Sequence, residues 1–464
     1  MQKNGEWTNW YRILICATEA ILLFLSYIVA FLIRFQSRYI PRPNGIAFQN
    51  LIPWLILIFL VFNLLSGVYV LYNKSKGDLL FITIIVQGLL AAVTMVLSFV
   101  SRSFAFPRMV ILIDFFVSVA MLYLFRLGIF TAYRRYSSTK RIMIVGQERE
   151  VFSAVYNFKN SKSARHIVTH AVVADFYSNV RANLDDIDIV YLASSIDENE
   201  KLKIYDLLMR EKKKLFLNSQ FENLVMVNPN IMNFEDESII ETSDFSIPAD
   251  QALIKRAFDI LLSLVLIIVT SPIMLVTALA IKLTSRGPVM YRQVRITEGG
   301  REFEILKFRS MYSDSEKKTG PIIARKHDDR ITPVGRFIRA VRIDELPQLF
   351  NIIRGDMSLI GPRPERPFFV DQFQEENPHY YLRHNVKAGL TGYAQVYGKY
   401  ATDFNSKLNF DLIYIKTYSL ILDLKIMLQT VKILFEKVSS SGVDDNAPHN
   451  TRADIIEMGI KVVE

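Results

Sequence analysis

Cysteine occurs once in the 464 residues, as Cys16 within an apolar stretch. A disulfide inside the chain is therefore excluded, and so is a zinc site built on cysteines; the scarcity suits soluble parts in a reducing compartment. No cleaved leader is expected at the N-terminus, because the first apolar run is too long and further runs follow. Basic residues are in excess, with a net charge of +9, yet they are not gathered into one long run. Nucleic acid is therefore not expected as a partner; anionic lipid headgroups, positive membrane flanks and phosphorylated substrates account for the charge. No internal repeat is present.

Apolar residues, by contrast, make up 51% of the chain, more than is usual for a soluble protein of a length sufficient for about three domains. Four apolar stretches run over 11–33, 51–72, 79–101 and 107–127, each near the ~20 residues a helix needs to cross the hydrocarbon. They predict a four-helix transmembrane bundle over 1–135. With the N-terminus inside, the inner segments hold Lys3, Arg12, Lys74, Lys76, Arg126, Arg134, Arg135, Lys140 and Arg141, nine in all, against five (Arg34, Arg38, Arg42, Arg102 and Arg108) in the outer loops. The excess places both ends of this region in the cytoplasm. Asp114, inside the fourth stretch, is read as an acid paired within the helices.

Residues 140–245 read as a Rossmann-like cytoplasmic α/β domain. Lys140-Arg-Ile-Met-Ile-Val-Gly146 and Asp188-Ile-Val-Tyr-Leu-Ala-Ser194 are buried-strand patterns with helical stretches between and after them, which implies a parallel sheet. Gln-Glu-Arg-Glu follows Gly146 in place of the remaining glycines of a dinucleotide fingerprint, so no nucleotide binding is expected. Asp186-Ile-Asp188 spells D-x-D, a metal-holding pattern, but is better explained as the acidic start of a strand. A fifth apolar stretch, within 254–284, carries Ser271-Pro272 near its middle and is flanked on both sides by positive charge, Lys255 and Arg256 before it and Lys282 and Arg286 after it. A proline breaks the helical hydrogen bonding, and like flanks favour a hinge with both ends on one face. Residues 285–438 are polar to mixed, include an amphipathic helix over 415–437 (Leu424, Met427, Val431, Leu434), and hold the densest run of motifs. Residues 439–464 are predicted to be a mobile tail.

The central string is Val341-Arg-Ile-Asp-Glu-Leu-Pro-Gln-Leu-Phe-Asn-Ile-Ile-Arg-Gly355. Pro347 suits a first helical turn and Gly355 a helix end, so a helix is predicted to start near Asp344 and Glu345. Adjacent carboxylates at such a start either cap the helix or share a cation beside a phosphate. Lys307, Arg309, Arg336, Arg339 and Arg363 supply cations nearby in sequence motifs, and Gly361-Pro-Arg-Pro364 is a rigid turn able to aim one of them.

Residues 254–437 resemble the bacterial sugar transferase family, the polyprenyl-phosphate phosphoglycosyltransferases. The resemblance rests on Lys255-Arg-Ala-Phe-Asp259, Ser271-Pro272, Gly287-Pro288, Gln293 with Arg295, Lys307-Phe-Arg-Ser-Met311, Asp344-Glu-Leu-Pro-Gln348, Gly355-Asp-Met-Ser358, Gly361-Pro-Arg-Pro364, Thr391-Gly392, Gln395, and Asp411 with Tyr414. Two departures stand out: Ile296-Thr-Glu precedes the glycines after Gln-x-Arg, and the tail is longer than usual. The long, polytopic form of the family implies a re-entrant membrane helix hairpin at Ser271-Pro272 and a mostly helical cytoplasmic catalytic domain. It also implies the start of exopolysaccharide, capsule or O-antigen synthesis at the bacterial inner membrane. A sugar-1-phosphate would pass from a UDP-sugar to polyprenyl (undecaprenyl) phosphate with release of UMP. Asp344 would be the nucleophile and Glu345 the Mg²⁺ ligand. Lys307, Arg309, Arg339, Arg363, Gln395 and Asp411 would bind substrate. The lipid bilayer is an implied partner, and a homodimer is left open. The competing readings are a glycosyltransferase that releases UDP and a membrane scaffold without turnover.

Overall fold

A computed structural model describes residues 9–36, 40–71, 74–136, 139–159, 166–193, 196–312, 330–398, 404–435 and 452–464. Lys3, Arg38, Ser194 and residues 439–451 of the predicted tail lie outside them, as does the side chain of Leu434. The chain divides into two compact units, Met1–Asn218 with Pro448–Glu464, and Ser219–Ala447. The break between the two units falls after Asn218.

The first unit opens with four long helices, α1 (Asn9–Phe35), α2 (Arg42–Ser66), α3 (Lys76–Val100) and α4 (Arg108–Tyr136), each long and apolar enough to cross a membrane. Local chemistry fixes their ends. Ser75 and Asp78 form a reciprocal capping box at the start of α3, satisfying two otherwise orphaned N–H groups. Gly67, at φ 63°, ends α2 well before residue 72. The four helices share one apolar core that includes Leu23, Phe31, Leu55, Phe59, Leu79, Val86 and Leu122. Inside it Arg126 of α4 donates from Nε and Nη2 to Glu19 of α1 at 2.7 and 3.0 Å, from Nη2 to Asn63 of α2 at 2.9 Å and from Nη1 to Thr83 of α3 at 2.9 Å. Arg126 is thus a buried partner rather than a flanking charge, and the inner count falls from nine to eight, still above five. Asp114 accepts a bond from Ser26 at 2.6 Å, the helix-to-helix pairing expected of it.

The α/β region follows as β1 (Lys140–Val145), α5 (Glu148–Lys159), β2 (His166–Val172), α6 (Phe176–Ala182), β3 (Ile189–Leu192), α7 (Glu198–Arg210) and β4 (Lys214–Leu217). Ile142 and Ile144 of β1 enter one core, and Met143 and Val145 enter another on the opposite face. That period of two, buried on both sides, is what a helix-covered parallel sheet requires. Glu148 and Glu150 stand in the first turn of α5, which disfavours a phosphate there. Asp188 of the D-x-D string accepts bonds from Lys140 Nζ and the Arg141 N–H at the sheet's entrance.

The second unit begins with α8 (Phe221–Val225) and the hairpin β5 (Asn230–Phe234) and β6 (Glu237–Glu241). The 36-residue α9 (Ala249–Thr284) is one unbroken helix; the expected hairpin at Ser271-Pro272 does not interrupt it. Pro272 has no N–H for the carbonyl of Ile268, and the Ser271 hydroxyl donates to that carbonyl instead, at 2.8 Å. The buried residues of α9 fall in two groups, Lys255, Asp259 and Ser263 before the proline and Met274, Thr277 and Ile281 after it.

The antiparallel pair β7 (Met290–Ile296) and β8 (Glu302–Phe308) comes next, then α10 (Pro333–Ala340), a 3₁₀ turn (Ile343–Glu345), α11 (Gln348–Arg354), β9 (Met357–Ile360), α12 (Pro367–Glu376), β10 (Ala388–Thr391), α13 (Tyr393–Tyr397), α14 (Phe404–Lys416) and α15 (Leu420–Phe435). In α15 the buried positions are Asp423 and Ile426, about one residue out of phase with the predicted stripe, because Asp423 is drawn inward by Lys255 at 2.6 Å.

After residue 451 the chain re-enters the first unit. Where a mobile tail was expected through residue 464, α16 (Arg452–Glu457) and β11 (Lys461–Val463) are ordered, with Ile455 and Ile460 in the α/β core. The physical reason is an open sheet edge: β11 pairs in parallel with β2, completing the order β11-β2-β1-β3-β4.

Candidate active site

The helix expected to begin at the acidic pair begins three residues later, at Gln348, with Pro347 before it. Asp344 and Glu345 instead lie in the 3₁₀ turn and cap nothing: the Glu345 N–H bonds Arg342 O at 3.2 Å. The turn is entered through Arg342, whose φ of 55° is a left-handed conformation that costs a non-glycine residue energy and concentrates at functional sites.

Glu345 is the hub of the site. Lys307 of β8 donates to its Oε1 at 3.1 Å, Arg363 lies 3.5 Å from the same oxygen, and Arg342 lies 3.6 Å from Oε2. Burial raises the proton affinity of this carboxyl, but Lys307, Arg363 and Arg342 outweigh it and hold the group well below the usual carboxylate range. Asp344 behaves oppositely. It is 9% exposed, and its carboxylate has no hydrogen bond or ion pair among the described residues. Burial and then the charge of Glu345 push its pKa up to about 6, against the opposing pull of Lys307, Arg339 and Arg342. Two neighbouring carboxylates thus have their proton affinities driven apart, the signature of a divided chemical role.

The frame that holds this geometry is built from bonds to backbone. Asn351 of α11 accepts the Leu306 N–H at 2.9 Å and donates to Glu304 O at 2.8 Å, docking the helix beside β8 and so Glu345 beside Lys307. The Gly361-Pro-Arg-Pro364 turn is held at two carbonyls: Arg295 donates to Pro364 O at 3.1 Å and Arg383 to Arg363 O at 2.8 Å. A side chain at Gly361 would meet Lys387 O at 2.3 Å, so only glycine passes there.

Of the predicted site residues, Asp344, Glu345, Lys307, Arg339 and Arg363 come together. Arg309 does not join them. It is buried and donates from Nη2 to Ser285 O and Oγ, at 2.9 and 2.7 Å, at the end of α9. Its cation therefore serves a helix C-terminus. Asp411 is 2% exposed and paired with Arg383 at 2.8 Å, and Arg383 in turn donates to the Arg363 carbonyl. Gln395 has a buried Oε1 without a hydrogen-bond partner among the described residues, and no bond joins it to the pair. Ser271 and Pro272 belong to α9 and take no part in the acidic cluster. The sequence reading missed Arg342 and Arg383. Arg342 directly precedes Ile343-Asp344 and was available as a signal; nothing in the pattern around Arg383 marks it.

The donor set suits magnesium better than a metal caged by protein. Among the described residues no group of three or more His, Cys, Asp or Glu could hold a metal; Asp344 and Glu345 are adjacent in the chain, and magnesium typically takes one or two carboxylates with the remaining ligands from phosphate and water.

A family model described as bacterial sugar transferase matches residues 250–437. The chain is 50% identical over 186 residues to the UDP-N-acetylgalactosamine-undecaprenyl-phosphate N-acetylgalactosaminephosphotransferase of Aeromonas hydrophila, covering 39% of this chain and 44% of that protein. It is 44% identical to a UDP-glucose:undecaprenyl-phosphate glucose-1-phosphate transferase of Caulobacter vibrioides, over 39% of this chain and 69% of that protein. It is 48% identical to a putative undecaprenyl-phosphate N-acetylgalactosaminyl 1-phosphate transferase of Bacillus subtilis, over 28% of this chain and 72% of that protein. The longer relatives are matched over less than half of their length, 44% in Aeromonas and 39% in a glucose-1-phosphate transferase of Klebsiella pneumoniae.

Proposed function

The chain belongs to the bacterial sugar transferase family, and we propose that it transfers a hexose-1-phosphate, N-acetylated or not, from a UDP-sugar to undecaprenyl phosphate. The observation that carries this reading is the cluster itself: Lys307, Arg342 and Arg363 stand 3.1 to 3.6 Å from Glu345, and the adjacent buried Asp344 has no hydrogen bond or ion pair among the described residues. The cations are suited to a diphosphate. Asp344, with no bond among the described residues, is the group we assign to react.

In the proposed reaction a carboxylate oxygen of Asp344 attacks the β-phosphorus, and the bond to the bridging oxygen breaks. UMP leaves with that electron pair, and an aspartyl phosphosugar remains. An oxygen of undecaprenyl phosphate then attacks the same phosphorus and releases the Asp344 carboxylate. Splitting one displacement into two is the usual gain of a covalent intermediate. Arg363 and Arg339 bind phosphate oxygens, and Lys307 keeps Glu345 ionised. Magnesium, held by Glu345, would supply neutralising charge on the diphosphate.

Topology supports the same reading. A 36-residue helix spans ~54 Å at 1.5 Å per residue, against ~30 Å of hydrocarbon. Yet residues near both ends of α9 are bonded to the same unit, Asp259 to the Leu359 N–H and Ser285 to Arg309. In the topology proposed here both ends lie on one side, and the apolar, outward-facing Leu264, Val265, Ile268, Val269 and Ile273 between them dip into the bilayer without crossing it. With α1 to α4 as four crossings, the acidic pair faces the cytoplasm, where nucleotide sugars are made, at the bacterial inner membrane.

The test is purified protein with undecaprenyl phosphate and a panel of UDP-sugars, with nucleotide products resolved. UMP with one preferred sugar is expected. Release of UDP alone would overturn the mechanism, and no release with any donor would favour a scaffold. Single cysteines at 140 and 290, in a Cys16→Ser background, should label from the same side; opposite-side labelling would exclude the re-entrant topology.

A further inference from the structure

We propose that the opening turns of α9 are a positioning element for the acidic site, with Arg256 and Asp259 setting from one helix the separation between the acidic turn and Arg363. The inference rests on the acidic pair being the reacting centre. Arg256 donates from its two terminal nitrogens to Ile352 O at 2.6 Å and Ile353 O at 2.9 Å, carbonyls at the C-terminal end of α11. The opposite end of α11 follows directly on the turn that carries Asp344 and Glu345. Gly355, at φ 96°, closes the helix there, and a side chain on it would meet the Arg256 guanidinium at 3.5 Å.

Three residues further along α9, Asp259 accepts the Leu359 N–H of β9 at 3.1 Å. That strand runs into Gly361-Pro-Arg363. A second tether reaches its last residue: Lys255 bonds Asp423 at 2.6 Å, Asp423 accepts the Tyr414 hydroxyl at 2.8 Å, and the same hydroxyl oxygen lies 3.3 Å from Ile360 O, close enough to share its proton. Asp259, Asp423 and Tyr414 are each at most 2% exposed.

One limb of the site, α11, is thus gripped by Arg256, and the other, β9, by Asp259. The limbs meet where Arg363 lies 3.5 Å from Glu345. Displacements on the order of 1 Å at a reacting centre cost up to about a hundredfold in rate. A lysine at 256 keeps the charge but lacks the fork that serves two carbonyls together. Because these turns lead into the membrane-seeking part of α9, the lodging of that helix and the geometry of the site become one variable.

The test compares Arg256→Lys, Asp259→Ala, Asp259→Asn and the double variant Arg256→Lys/Asp259→Ala, all in the full chain in proteoliposomes. Each of the first two is expected to lower kcat by roughly tenfold with the donor KM little changed and the melting midpoint nearly constant. Asp259→Asn, which retains the acceptor oxygen, should recover most of the Asp259→Ala loss. The double variant should lose no more than its worse parent, since both break one separation. Additive losses, or losses that track the melting midpoint, would overturn the proposal in favour of two independent structural contacts. Hydrogen exchange supplies a readout independent of turnover: Arg256→Lys should speed exchange in 348–355 and Asp259→Ala in 357–361, without global change. Unaltered exchange in both would overturn the anchoring itself. If the wild type releases no UMP, the reaction reading falls, and the exchange arm still decides whether α9 holds the two limbs.

Discussion

Glu19 and Glu345 are both carboxylates drawn inside the protein and surrounded by cationic or hydrogen-bonding side chains, one among the four apolar helices and one in the second unit. Around Glu19, Arg126 forks onto both oxygens, and Asn63 and Tyr69 complete Oε2 at 3.1 and 2.9 Å. Each remaining nitrogen bond of Arg126 ends on Asn63 or Thr83, so every helix contributes and the cluster is closed. Around Glu345 three cations stand at 3.1 to 3.6 Å, and beside it Asp344 carries no bond among the described residues. A closed cluster holds helices together; one with two carboxylates adjacent in the chain, facing cations from several elements, has the arrangement of a site for a ligand that carries negative charge.

Substitution should separate the two roles. Asp344→Asn is expected to abolish transfer, by a factor of roughly a thousand or more, and to leave no phosphosugar adduct detectable by intact mass after incubation with donor. An adduct surviving in this variant would move the nucleophile elsewhere. Arg126→Leu should act on folding alone, leaving Glu19 buried and unpaired at a cost of about 3–5 kcal/mol. Size-exclusion profiles and melting in detergent would show it, and the exchanged pair Glu19→Arg/Arg126→Glu should recover part of the loss. If Arg126→Leu melts like the wild type, the closed cluster is not structural.

A smaller and opposite effect follows from the raised pKa of Asp344. An acid whose folded pKa lies above its unfolded value stabilises the fold below the unfolded value, near 3.8, and loses that contribution as pH rises through about 6. At neutral pH the ionised group therefore costs on the order of 2–3 kcal/mol. Asp344→Asn should melt higher than the wild type at pH 7.5, with the gap closing towards pH 4; no gap at pH 7.5 would contradict the strained pair. Transfer by the wild type should fall as pH drops below about 6, and Glu345→Gln should move that limb downward by removing the like charge. The smallest effect is expected from Asp411→Asn. It weakens the hold of Arg383 on the Arg363 carbonyl, and transfer should decline by roughly tenfold with nucleophile and metal ligand untouched. A KM effect without a kcat effect would instead indicate direct donor contact by Asp411.

These contrasts also explain what could be read before any coordinates. Asp344, Glu345, Arg363 and Lys307 sit in contiguous strings whose turn and helix signals point to one place, and the parallel sheet announced itself in the apolar runs of β1 and β3. Glu19 and Arg126 were harder, because a single charge at the end of an apolar run reads as a membrane flank; only packing reveals that Arg126 faces inward. Arg309 and Asp411 were placed at the site because a charged residue in a motif invites a ligand; the bonds they make to Ser285 and Arg383 join other elements and could not be read from the motif. Along α9 the Ser271 hydroxyl satisfies the Ile268 carbonyl that Pro272 cannot, a local compensation invisible to a rule that prolines interrupt helices.

The last strand of the sheet has a consequence for synthesis. β4 ends at Leu217 and β11 begins at Lys461, with the whole second unit between them. A nascent chain leaving the ribosome must therefore make the sugar-transferase region before the α/β sheet can close. Until then the edge of β2 stays unpaired, open to foreign strands. The order of translation thus makes the finished sheet a record that everything before it has already been built.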